Sequence, residues 1–199
     1  MAHQKLDTEV RQEQIIQAAL ELIAAHGLRR LSMGAVARRV GLVPSALYRH
    51  FKNKEQMLEA ALGLVRKKVL ENISLVSAGA STALDRMERL LMLNVQMIRE
   101  IQAVPRIVFS EGMYGEHPER KHKAYEMIKS VLAKLEEIIR EGQREGQVRD
   151  DVDARTLAVS FWGLMPPLVI LWHISDGRFD VTKHMEKSWQ LFREAIQAR

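Results

Sequence analysis

Residues 43–54 read VPSALYRHFKNK, and helical spacing sorts their side chains into two sets with different chemistry. Leu47 and Phe51, four apart, point inward from a short helix that Pro44 opens; proline suits a first helical position because an N–H there has no intrahelical partner. Pro44, Ser45, Tyr48 and Arg49 remain on the outer face. A hydroxyl, a phenol and a guanidinium near the start of a short helix are donors suited to base edges in a major groove. Ser32, at the N-terminus of the preceding helix, offers a hydroxyl and backbone N–H groups to an anion. Tyr48 and His50 can donate to phosphate oxygens, and Lys54 adds charge at the start of the next helix. Such contacts set register without reading sequence. Lys5 and Arg11 extend the same chemistry toward an adjacent backbone or a minor groove.

These side chains need a frame, and residues 32–51 have helix-turn-helix proportions: two short helices joined at Gly41-Leu42-Val43, with Val36 and Val40 on the inner side of the first. Ahead of them, a helix starting at Asp7 or Thr8 buries Ile15, Ile16, Ala19, Leu22 and Ile23 and stops at Gly27. Asn53 and Gln56 have capping-box spacing and open a long fourth helix. Gly79-Ala80-Ser81 breaks the pattern. Thr82 and Asp85 then cap a helix lined by Met87, Leu90, Leu91, Met97 and Ile101. Pro105 and Gly112 bracket a short piece, and Pro118 starts a helix striped by Tyr125, Ile128, Leu132, Leu135 and Ile139. Asp153 caps an uncharged segment, and the last helix carries Met185, Trp189, Phe192 and Ile196. No strand pattern stands out. The expectation is an all-α chain of about nine helices: a DNA-binding domain over 1–55, a connecting helix over 54–77, and a C-terminal domain over 78–199.

Charge points the same way. Residues 1–68 hold 12 Lys and Arg against 6 Asp and Glu, whereas residues 69–199 hold 18 against 19. The basic excess therefore sits at one end, as a polyanion partner requires. With 47% apolar residues and no cysteine, the 199-residue chain excludes disulfide frameworks, thiolate metal sites and cysteine nucleophiles. MAHQKLDTEV lacks the apolar core of a signal peptide, so a cytoplasmic protein is expected. Leu157 to Ile174 carries no charge, but Gly163, Pro166 and Pro167 interrupt it; we read it as a buried helix with no membrane role. The two prolines kink that helix, either as a tolerated bend or as one that shapes a pocket or interface. No phosphate loop, G-x-S-x-G or HExxH is present, and no cofactor or metal set emerges. His122 and Glu126 read as a surface pair. An enzyme is not expected.

Residues 8–62 resemble the N-terminal DNA-binding domain of the TetR family of bacterial transcriptional regulators. The resemblance rests on LSMGAVARRVGLVPSALYRHFKNKEQML, with Tyr48, His50, Phe51, Lys54 and Leu58 in the family's places, and on the preceding IIQAALELIAAHG. Val43 stands where the family commonly has serine, and Ala46 where threonine or serine is frequent; both can touch thymine methyl groups instead. The resemblance implies a homodimer that presents two recognition helices to half-sites of a double-stranded operator, roughly 34–36 Å apart. It places the dimer interface on the last two helices, about 154–175 and 181–197. Phe161, Leu164, Leu168 and Leu171 form one candidate face; Trp162, Met165, Val169 and Trp172 form another; Trp189, Phe192 and Ile196 belong to the last helix. It also implies a C-terminal effector pocket, for which Met97, Phe109, Met113, Tyr114, Tyr125, Trp162 and Met165 are candidates, although each taken alone fits plain core. The expected function is a repressor released from DNA by a small, mainly apolar effector. The alternative is a DNA-bound scaffold that recruits a protein partner without an effector.

Overall fold

The computed structural model describes residues 2–78, 81–108 and 117–198. Among them run ten α-helices and one 3-10 turn, with no β-strand. The chain divides into two compact units, one formed by Met1–Lys67 with Glu100–His117 and the other by Lys68–Arg99 with Pro118–Arg199. The division thus does not coincide with a single cut near residue 78.

In the first unit, α1 spans Ala2–His26, starting earlier than a cap at Asp7 or Thr8 predicts. Nothing in the AHQKL segment breaks a helix, so propagation continues past the candidate caps. Gly27, at φ +79, ends it in a conformation that a Cβ would disfavour. A 3-10 turn, Leu28–Arg30, leads to α2, Met33–Arg39. Then follow α3, Pro44–His50, and α4, Lys54–Ser77. At the start of α4 the Gln56 N–H donates to Asn53 Oδ1 (2.8 Å) as the spacing predicts, while Gln56 Oε1 accepts the Lys52 N–H (2.7 Å), one residue ahead of the cap. Ile15, Ile23, Val36, Leu47, Phe51, Met57 and Ala61 form the core that holds these helices together. Ala103 and Ile107 of α6, Ala103–Val108, join the same core, and α6 packs on α1. α6 therefore belongs to this unit: Ala103, Val104 and Ile107 are buried.

The second unit contains α5, Ala83–Glu100, and α7, Pro118–Arg144. Gly142 lets them meet: a Cβ there would lie 2.6 Å from Ala83 Cβ and 2.9 Å from Val148 Cγ2. The buried stripe of α7 is Ala124, Val131, Leu135, Ile138 and Ile139, so the expected Tyr125–Ile128–Leu132 line is turned partly outward. After α7 come α8, Ala154–Trp162, α9, Met165–Ile174, and α10, Val181–Ile196. Asp153 and Asp180 cap α8 and α10 by accepting from the Thr156 and Lys183 N–H groups. Hydrogen bonds from Thr156 hold the Asp153 carboxyl below the ordinary carboxylate range. The stabilisation this capping gives is present above that range and is lost on acidification. The Arg149 N–H donates to the Ile196 carbonyl (2.8 Å), pinning the end of α10.

The single uncharged helix expected over 154–175 is two helices, which accounts for ten rather than nine. Pro166 and Pro167 occupy the first turn of α9, and without their N–H groups the carbonyls of Trp162 and Gly163 lose their i−4 donors. Gly163 and Leu164 stay in the right-handed helical region, so the segment bends without reversing. Its expected burial is corrected as well. Ala154–Ile174 is the one stretch among the described residues long and apolar enough to cross a membrane, yet only 22% of its apolar window is buried within this chain. Val159, Ile170, Leu171 and Ile174 are exposed. A helix that is apolar on all sides cannot be covered by one neighbour on one side.

Candidate nucleic-acid interface

The helix-turn-helix sorts its side chains as their spacing predicts. Leu47 and Phe51 are buried, whereas Val43, Pro44, Ser45, Tyr48 and Arg49 are exposed on the outer side of α3. Ala46 and His50 are half-buried at the edges of that face. Tyr48 leaves 52% of its surface open, a large exposure for an aromatic residue. Val43 precedes α3 in an extended conformation and makes no side-chain cap bond, unlike Ser32, whose Oγ accepts the Ala35 N–H at 3.2 Å. With its oxygen so engaged, Ser32 still has its hydroxyl proton to donate outward. The His50 Nδ1 is buried without a hydrogen-bond partner.

Lys54 is bound more tightly than its sequence position suggests. Its Nζ donates to the Leu28 carbonyl oxygen at 3.3 Å, tying the 3-10 turn to the start of α4. Two of its three protons remain for an anion. The turn it anchors carries Arg29 and Arg30, both exposed and neither among the residues the helix-turn-helix spacing singles out. A signal for them was present: from Leu22 to Lys54 the chain has seven Lys and Arg and no Asp or Glu. Arg39, exposed on α2, is partly neutralised by Glu21 of α1 (2.7 Å). Arg29, Arg30, Arg38, Arg49 and Lys52 are exposed with no carboxylate in the same stretch of chain, giving the local field a phosphate backbone requires.

The C-terminal candidates are less coherent. Phe109, Met113 and Tyr114 lie outside the described residues. Met97 is buried, Trp162 and Met165 are half-buried, and Tyr125 is 62% exposed because it falls off the buried stripe of α7. An open groove in the second unit is lined by Glu137, Arg140, Gln143, Arg144 and Asp150. Phe161, Trp189 and Ile196 are buried inside the subunit, with the Phe161 and Trp189 rings perpendicular at 6.1 Å and Phe192 against both. Leu164 and Leu168 are half-buried, and Leu171 is exposed. Of the second candidate face, Trp162, Met165 and Trp172 are half-buried and Val169 is buried. Glu126 faces Lys129 at 3.6 Å.

Two family profiles match the chain in order. The profile of the bacterial regulatory proteins of the tetR family matches residues 15–61, and that of the tetracyclin repressor-like C-terminal domain matches residues 83–166. The nucleoid occlusion factor SlmA of Idiomarina loihiensis is 24% identical over 196 residues, 98% of each chain. Among solved structures, a putative transcriptional regulator from Saccharomonospora viridis, in complex with choline, superposes with a TM-score of 0.80 at 23% identity, over 96% of this chain and 100% of that one. The regulator FadR of Bacillus subtilis, in complex with stearoyl-CoA, gives 0.77 at 22% identity, over 92% and 98%. With two profiles of the family matched in order over residues 15–61 and 83–166 and the helix-turn-helix built as its sequence requires, the protein belongs to the TetR family of DNA-binding transcriptional regulators.

Proposed function

We propose that α3 enters the major groove of an operator half-site, with Ser45, Tyr48 and Arg49 toward base edges and Val43, Pro44 and Ala46 against them. Ser32, His50 and Lys54 hold the flanking phosphates, and Arg29 and Arg30 add to the attraction. The observation that carries this reading is the exposed face of α3, set in a run of chain with seven cations and no carboxylate. Two subunits joined through their C-terminal units present two such helices to a two-fold-related site. Retention of duplex that weakens steeply with salt tests it directly. Lys54→Ala is expected to weaken binding to all sequences alike and to lower the salt slope by about one. Ser45→Ala is expected to change base preference at unchanged slope. A Lys54→Ala protein with altered preference and an unchanged slope would reverse these roles.

Effector control is the second part of the proposal. A small, mainly apolar molecule held in the C-terminal unit favours the conformation that cannot span both half-sites, so operator affinity falls. Linkage requires the same factor in reverse: DNA must weaken effector binding, typically by about 1–3 kcal/mol. Acyl thioesters and quaternary amines, the classes held by two structural neighbours, lead a thermal-shift panel. A ligand at about 100 times its Kd stabilises the fold by about 2.7 kcal/mol. A second reading, a DNA-bound scaffold for a protein partner, draws on the likeness to a nucleoid occlusion factor over nearly the whole of both chains. A panel without a shift, joined to a partner that co-elutes on operator DNA, favours the scaffold.

A further inference from the structure

We propose that the protein selects its operator partly through thymine C5-methyl groups, read by Val43 with Ala46 beside it. This rests on the assignment of α3 as the DNA-facing helix. Val43 is 64% exposed, more than any other large apolar side chain described in its unit. It holds the position before the first helical turn, where Ser, Thr, Asn or Asp normally accept a backbone N–H. Valine forgoes that bond, and the Ala46 N–H turns to the Val43 carbonyl at 3.0 Å. With Pro44 and half-buried Ala46, Val43 forms a small apolar spot inside the carboxylate-free basic stretch, where the approaching surface is a polyanion.

Base chemistry names the occupant. In the major groove adenine, guanine and cytosine present donors and acceptors, and an apolar side chain pressed on them leaves those groups unpaired. Thymine alone among the four presents a methyl group there. The outward face of α3 also lacks Asn, Gln, Asp and Glu, the side chains that pair bidentately with adenine or accept from cytosine. Hydrogen-bond readout falls to Ser45, Tyr48 and Arg49, and the valine edge is left to the methyl.

The test uses the full-length protein and a duplex recovered from a random pool by retention at low salt. Each dT of the recovered site is replaced in turn by dU, which lacks the methyl and keeps every hydrogen-bonding group. About one or two positions per half-site are expected to lose roughly fourfold in affinity, the worth of one buried methyl. Val43→Ala, a change at an exposed position, should bind dT and dU duplexes alike while its thermal unfolding stays that of the parent. Equal affinity of the parent for dT and dU throughout overturns the methyl reading but leaves α3 on DNA. Recovery of no duplex overturns the assignment of α3 itself. If dU weakens binding and both Val43→Ala and Ala46→Ser keep the full discrimination, another side chain reads the methyl and the proposal fails.

Discussion

Ile174→Glu is expected to leave the subunit folded, to convert the protein from dimer to monomer, and to lower its affinity for a two-half-site duplex by about 10²–10⁴-fold. Pro167, Ile170, Leu171 and Ile174 fall at i, i+3, i+4 and i+7 of α9 and all are exposed, with Ile174 at 68%. No Lys, Arg, Asp or Glu lies between Arg155 and Asp176. Leu191 of α10, the helix packed against α9, is 72% exposed. We propose that the second subunit covers this stripe; a carboxylate placed in it would then be buried without a partner, at a cost of several kcal/mol. In the free subunit the same change is a surface substitution, within about 0.5 kcal/mol of neutral. Sedimentation equilibrium separates the two effects. A variant that remains dimeric at the parent's concentration range would show that the subunits meet elsewhere, whatever its affinity for DNA.

The N-terminal half was largely legible because its signals are local. Pro44 opening α3, Gly27 and Gly41 at positive φ, and the Asn53–Gln56 pair each act within four residues, and each appears where the residues indicate. Leu47 and Phe51 face inward because their apolar side chains, four apart on one helix face, gain by leaving water. What failed depended on distant neighbours. Nothing local says that Ala103 and Ile107 join the core of α1, because that contact links segments some eighty residues apart in sequence. Nor can periodicity tell a helix apolar on all sides which face its own subunit covers. Phe161 and Leu171 looked alike as interface candidates, yet one is core and the other surface. The cations were likewise readable one by one, but the salient fact was the carboxylates missing around them.

Trp189→Ala is expected to destabilise the second unit by about 3–5 kcal/mol, the loss typical of a large aromatic residue truncated in a core. Trp189 is 2% exposed, perpendicular to Phe161 at 6.1 Å and tilted against Phe192 at 6.3 Å. Removing the indole leaves a cavity between α8 and α10 and strips two aromatic contacts at once. Set against the 5–15 kcal/mol that holds a typical domain, this is a large fraction, and the midpoint of the unit's thermal transition should fall by roughly 6–20 °C. The prediction also decides whether Trp189 is core or interface. An interface residue acts through association, so its effect grows with the populated dimer and disappears in a monomer. A core residue acts within each subunit. Introduced into the Ile174→Glu background, Trp189→Ala should therefore cost the same as in the parent. If it is harmless in the monomer and destabilising only in the dimer, Trp189 contacts the second copy, and the division between the buried Phe161–Trp189–Phe192 cluster and the exposed α9 stripe is wrong.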